Sequence, residues 1–163
     1  NDIALLAYHL PLDAHPSCGN NVCLVAKMGW DVTGPMLGFM KPDLGLVGRL
    51  KKACKPQDLH AALHAALGGP IQHIAAKKTA IDRIAWCTGA AEDGIIQAAQ
   101  HGVDAYITGE ISERTVYLAR ELNVHFFAAG HHATERYGVQ CLGEQLAKKH
   151  NIVHHYVELD NPV

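Results

Sequence analysis

Two histidine–carboxylate pairs in this chain have the residue types and spacing for chemistry: His9 and Asp13 in His9-Leu-Pro-Leu-Asp13, and His131 and Glu135 in His131-His-Ala-Thr-Glu135. Each follows an apolar run, Ile3–Tyr8 before the first and Val124–Ala129 before the second. Imidazole nitrogen and carboxylate oxygen, delivered from the mouth of a strand, are the mixed donors that suit Zn, Mn, Fe and related divalent ions. Pro11 is expected to exclude a continuous helix between His9 and Asp13, so that pair must come from an extended turn, whereas Glu135 can sit one helical turn beyond His131 on the same face. Strand, ligand turn and helix thus recur in segments 3–29 and 124–149. A duplicated unit packs naturally about a pseudo-two-fold axis, which would gather His9, Asp13, His131 and Glu135 into one cleft.

Other polar residues at strand exits are weighed against duller roles. Glu110 follows the apolar run Ala105–Thr108 and could act as a general base or merely cap the next helix. His15 and His132 could orient metal ligands or touch a substrate, or lie in solvent. His60 and His64 sit four apart in an alanine-rich helical stretch with no third ligand nearby, and are expected to be solvated or packing residues. The turn Thr88-Gly-Ala-Ala-Glu-Asp-Gly94 carries neither GxxxxGK[ST] nor GxGxxG, so a plain tight turn is expected there.

The elements that must position these residues follow from periodicity. Ile3–Tyr8, Ile81–Cys87, Ala105–Thr108, Val124–Ala129 and Ile152–Tyr156 read as strands. Helices are expected from Asn20 to Met28 with a cap at Gly29, over Leu59–Leu67, from Ile95 to Gln100 with a cap at Gly102, and from Ser112 to about Leu122. A last helix should run from Thr134 to about Lys149 with Val139, Leu142 and Leu146 facing inward. Residues Trp30 to Asp43 should be irregular or form short edge strands. Strands alternating with helices imply an α/β fold, with a mostly parallel or mixed sheet, helices packed outside and the chemistry at the carboxyl ends of the strands.

With 163 residues, 48% of them hydrophobic, the chain should form one compact α/β unit over 1–163. A net charge of -2 offers no basic field for nucleic acid. Five cysteines without CxxC spacing indicate neither a disulfide framework nor a thiolate zinc site, and Cys87 and Cys141 are expected to be buried apolar residues. No signal peptide or bilayer-spanning stretch is seen, so a soluble cytoplasmic protein without membrane contact is expected. The chain starts without methionine, directly in an apolar run, as if an N-terminal portion were missing.

His9-Leu-Pro-Leu-Asp-Ala-His-Pro16 with Gly19-Asn-Asn21, Ala85-Trp-Cys-Thr-Gly89, Gly102-Val-Asp-Ala-Tyr-Ile-Thr-Gly-Glu110 and Gly130-His-His-Ala-Thr-Glu135 resemble the motifs of one family. It is the GTP cyclohydrolase 1 type 2 homologues, also called NGG1-interacting-factor-like dinuclear metal proteins, and the resemblance runs the length of the chain. It implies that Asp13, His131 and Glu135 are metal ligands, with Glu135 bridging two ions and His9 close by. The family completes its site with a His-His-Gly motif on an N-terminal segment, so this chain corresponds to the C-terminal portion of a family-length protein. The resemblance also implies two intertwined strand–helix repeats and a homohexameric ring with inward-facing sites.

Together these readings lead to a metal-dependent hydrolase acting on a nucleotide-like or other phosphorylated small molecule through two divalent ions, which the donors do not distinguish among Zn, Mn, Fe and Mg. Glu110, His9 and His132 are the candidates for proton transfer. The alternative is a metal-binding, metal-delivery or regulatory interaction protein without catalysis of its own.

Overall fold

The computed structural model describes residues 2–159 and 161. Its centre is a six-stranded mixed sheet made of β1 (Asp31–Pro35), β2 (Leu46–Cys54), β3 (Gln72–Ile74), β4 (Ile81–Trp86), β5 (Ala105–Thr108) and β6 (His125–Ala128), in the order β1-β2-β4-β5-β6-β3. The helices are α1 (Leu10–Asp13), α2 (Asn20–Met28), α3 (Pro56–Leu67), α4 (Ile95–Gln100), α5 (Glu113–Glu121) and α6 (His131–His150). β4, β5 and β6 are parallel because α4 and α5 carry the chain back between them; the other neighbours pair antiparallel.

Period-two alternation buries both faces of the sheet. Ala85, Tyr106, Phe126 and Ala128 pack with Ile95 and Ala98 of α4 and Ala119 of α5. Ile84, Trp86, Ala105, Ile107 and Phe127 face the other way, onto Leu24 of α2 and Leu59, Leu63 and Leu67 of α3. The three α3 leucines recur every four residues, and burying each contributes roughly 1.5–3 kcal/mol. The sheet is therefore the middle of three layers. Gly29 and Gly102 end α2 and α4 with φ of 69° and 67°, as their placement predicts.

Several expectations need correction. Ile3–Tyr8 is not a strand: it has no regular secondary structure and is solvated, with Ile3 82% and Leu5 91% exposed. A strand exists only by pairing, and both positions beside β4 are taken by β2 and β5. Ile152–Tyr156 forms no strand either, and His154 lies over Gly143 of α6, where a Cβ would come within 2.1 Å of its ring. Pro11 does not prevent a helical turn between His9 and Asp13, because it occupies the first turn of α1, where no backbone N–H is required. The last helix begins at His131, earlier than Thr134. Val139 and Leu146 are exposed, and the residues α6 buries are Thr134 and Gly138. Cys141 is only half-buried, while Cys87 is buried, and all five cysteines are free. β2 and β3 lie in stretches not read as strands; β2 contains Gly48 and the Lys51-Lys52 doublet, which hide its alternation.

At the β3–β6 edge His73 stacks on Phe127, with ring centroids 4.3 Å apart. His125 donates from Nε2 to the Lys78 carbonyl at 2.7 Å, so its Nδ1 accepts from His73 Nε2 at 3.0 Å and from the Ala76 N–H at 3.2 Å. Burial, with repulsion from His125 and His60, pushes the His73 pKa from 6.5 to about 4. Between those values the unfolded chain takes up a proton that the folded one refuses. The contribution of His73 is therefore full above about pH 6.5 and is lost as pH falls toward about 4. In urea unfolding at pH 7 and pH 5, His73→Phe is expected to lose less stability on acidification than the native protein.

Candidate metal centre

The three parallel strands end level, and the ladder between them continues past their ends through glycine. Gly109 N donates to Gly89 O at 2.8 Å, and Gly130 N donates to Gly109 O at 2.9 Å. The three glycines lie abreast, one beyond each strand, and form a floor of bare backbone. A Cβ on Gly89, whose φ is +73°, would sit 2.1 Å from Glu135 Oε1 and 3.1 Å from His131 Nε2. One on Gly109 would sit 2.7 Å from the His131 Cα. The floor thus admits the first turn of α6 and the Glu135 carboxylate directly onto the strand ends.

Threonines lock this arrangement. The Gly89 N–H donates to Thr134 Oγ1 at 3.1 Å, and that hydroxyl donates to the carbonyl of Gly130 at 2.9 Å or of His131 at 3.0 Å. Thr108 Oγ1 donates to Gly89 O at 3.0 Å. Among the described residues, the Thr88 hydroxyl is the buried side-chain polar atom left without a partner.

On that floor His131 lies between two carboxylates. Its Nδ1 donates to Glu110 Oε1 at 2.5 Å, and its Nε2 lies 3.1 Å from Glu135 Oε2. A carboxylate only accepts, so Glu110 fixes the proton on Nδ1. A neutral ring would then turn the Nε2 lone pair toward a second carboxylate. The arrangement calls for a positive charge there, either a proton on the ring or a cation shared by Nε2 and Glu135. Burial alone would lower the His131 pKa; the Glu110 hydrogen bond and the charges of Glu135 and Glu110 outweigh it and raise the pKa. Burial and the charge of Asp13 raise the Glu135 pKa against the opposing pull of His131 and His9.

Asp13 ends α1 and is buried, at 8% exposed. Its Oδ1 accepts from Asn20 Nδ2 at 2.6 Å, and its carbonyl accepts from Asn21 Nδ2 at 3.5 Å. Asn21 also ties this loop to β4, its carbonyl accepting from Trp86 Nε1 at 3.1 Å and its Oδ1 from the Thr88 N–H at 3.1 Å.

Of the residues singled out from sequence, the structure brings His131, Glu135 and Glu110 into direct contact, and places Asp13 and His9 within electrostatic reach of Glu135. His9 is exposed just before α1. His132 turns to Glu158, 2.7 Å from its Oε1, while sharing a cavity lining with Glu110, His131 and Glu135. His15 accepts at Nδ1 from the Cys18 N–H at 3.3 Å, away from this group. His60 and His64 contact the carbonyls of Ile71 and Gly69, as packing histidines would. Among the described residues no three His, Cys, Asp or Glu side chains converge with the geometry of a bound ion. The donors nevertheless fit one chemically: one imidazole nitrogen and clustered carboxylates over a glycine cradle suit a borderline or hard divalent cation. Sequence reading missed Asn20, Thr134 and the glycine floor. The floor has a signal, since a glycine stands one to three residues past each of β4, β5 and β6.

The family model for DUF34/NIF3 (NGG1p interacting factor 3) matches residues 1–162, and the chain belongs to that family. It is 50% identical over 162 residues to a Pseudomonas aeruginosa protein named GTP cyclohydrolase 1 type 2 homolog, covering 99% of this chain and 64% of the relative. It is 42% identical to the Escherichia coli K12 protein of the same name, covering 99% of this chain and 64% of that one. The chain thus spans just under two thirds of these relatives. The solved structure of protein ybgI superposes with a TM-score of 0.90 at 40% identity, over 96% of this chain and 62% of that one. Reduced HcgD from Methanocaldococcus jannaschii, at 22% identity and a TM-score of 0.72 over 86% of this chain and 55% of that one, shares the fold.

Gly89→Ala would have to hold a left-handed backbone and push Glu135 aside. It is expected to destabilise the protein by about 1–3 kcal/mol, read as a lower urea midpoint at unchanged m-value.

Proposed function

We propose that this chain carries part of a divalent-metal centre, with Asp13, His131 and Glu135 as its ligands, in a metal-dependent hydrolase of small, nucleotide-like molecules. The observation that carries the reading is His131 held between two carboxylates, its Nε2 3.1 Å from Glu135 Oε2 with Nδ1 already committed to Glu110. A histidine whose far nitrogen donates to a carboxylate is oriented as metal-bound histidines are. The family resemblance supports two ions with Glu135 between them, and the names of the relatives support a cyclohydrolase-type substrate. Two of the three ligands sit on α6 and the third on α1, so further ligands would come from chain beyond these residues.

Bound divalent ions would acidify a water and stabilise negative charge developing on the substrate. Glu110 holds the imidazole proton on Nδ1 and so keeps Nε2 available as a ligand. His132 is engaged by Glu158. His9, exposed and electrostatically coupled to Glu135, is the group best placed to exchange protons with solvent. A cavity of about 560 Å³ lined by Glu110, His131, His132, Glu135 and Arg136 gives a small molecule room at the α6 ligands. No helix among the described residues is long and apolar enough to cross a membrane. The exposed apolar residues Ile3, Leu5, Val139 and Leu159 support assembly with further chains, in keeping with a cytoplasmic hexamer.

The test is metal content and turnover of the intact protein after loading with Mn²⁺, Zn²⁺ or Fe²⁺. Glu135→Ala and Asp13→Ala are expected to lower bound metal by at least one ion per chain, and loaded native protein should hydrolyse at least one member of a nucleotide panel. Unchanged metal content in Glu135→Ala would sink the site. Metal bound without any turnover would instead favour the non-catalytic reading as a metal-binding or metal-delivery protein.

A further inference from the structure

Asn20 is the first residue of α2, yet its side chain is buried, at 5% exposed. An amide taken out of water must be satisfied at both ends. Nδ2 donates to Asp13 Oδ1 at 2.6 Å, and Oδ1 accepts from the backbone N–H of Gly138 at 2.9 Å. Gly138 lies in α6, three residues beyond Glu135. A Cβ at 138 would stand 2.4 Å from Asn20 Oδ1 and 2.9 Å from its Cγ, so only glycine lets the amide approach the helix. One side chain thereby connects the turn that carries Asp13 to the helix that carries His131 and Glu135.

The choice of amide is chemically specific. The buried Asp13 carboxylate takes a donor and the Gly138 N–H, already inside the α6 ladder, takes a further acceptor, and an asparagine supplies one of each. An aspartate would keep the acceptor but set a second carboxylate against Asp13 at hydrogen-bond distance. A leucine of similar size would remove the donor to Asp13 and the tie to α6 together.

We propose that Asn20 is a positioning residue for the metal centre. It occupies Oδ1 of Asp13, leaving Oδ2 as the ligating oxygen, and through Gly138 it sets the separation between Asp13 and the α6 ligands. This assignment rests on the metal reading of Asp13, His131 and Glu135, and it extends that reading to a residue with no ligand atom of its own.

The experiment measures Mn²⁺ affinity by titration of the intact native protein, Asn20→Asp and Gly138→Ala, each well below its unfolding temperature, together with thermal unfolding of the metal-free forms. Loss of a group that orients a ligand weakens metal binding by about 10–100-fold, and that loss is expected in both variants at native Mn²⁺ stoichiometry or below. A merely structural role would lower the unfolding temperature and leave the affinity of the folded protein in place. Affinity within about threefold of native in either folded variant, far short of that range, overturns the assignment and spares the metal reading. If Asn20→Asp does not fold, Gly138→Ala decides, since it presses on the same amide from the helix side. If native protein binds no Mn²⁺ the same titration is made with Zn²⁺ and Fe²⁺, and native protein that binds none of the three overturns the metal reading and this assignment with it.

Discussion

The site depends on one constraint: three parallel strands must end level and stay hydrogen-bonded for one further step without side chains in the way. Gly89, Gly109 and Gly130 meet it, because the carbonyl of each of the first two receives the N–H of the next. With no Cβ on that floor, α6 begins almost at the end of β6, and its first residue, His131, rests against Gly109. Glu110 follows Gly109 directly and therefore reaches the near edge of the imidazole, while Glu135, one turn along α6, reaches the far edge. Glu110, His131 and Glu135, three residues from two segments, are brought together by the geometry of the sheet, with no long loop required.

Electrostatics then concentrates negative charge where the backbone can tolerate it. Glu110 and Glu135 lie at the N-terminal turn of α6, the end at which unpaired N–H groups favour anions. The same dipole opposes a protonated imidazole as the first residue of a helix. His131 is nonetheless pushed toward its charged form, because the Glu110 hydrogen bond and the charges of Glu135 and Glu110 outweigh the effect of burial. Asp13, buried and acting on Glu135, adds to an excess of acceptors that neighbouring side chains do not neutralise. Such a surplus of acceptors in a half-buried cleft is the electrostatic counterpart of a cation.

The part of this that sequence discloses is the part written in local patterns. β4, α4, β5, α5 and β6 are legible because each is a short apolar run or an amphipathic stretch with its own glycine or serine punctuation. His131 and Glu135 are legible as a helical pair. Ile3–Tyr8 looks like a strand for the same reason as β5 does, but apolarity does not say whether a partner strand is available, and here none of the described strands pairs with it. β2 escapes notice because its partners on both sides, β1 and β4, supply a framework that its own lysines and glycine do not advertise. Asn20 is the least legible residue of all. Its burial is dictated by Asp13 and Gly138, residues 7 and 118 positions away, and no local pattern encodes such a triangle.

The way α6 is attached has a consequence for how the molecule moves. Val139 and Leu146 point to solvent, Ala133 and Tyr137 pack against the core, and the fully buried positions are Thr134 and Gly138, where the helix touches Gly89 and Asn20. Its hold on the rest of the molecule is thus part apolar and part polar, and the polar part runs through the site itself. A helix anchored in this way has its opening equilibrium set in part by the site's hydrogen bonds, so occupancy of the cleft and the rigidity of α6 are linked. Whatever binds there also acts as a latch, and the amide exchange of α6 would report whether that latch is closed.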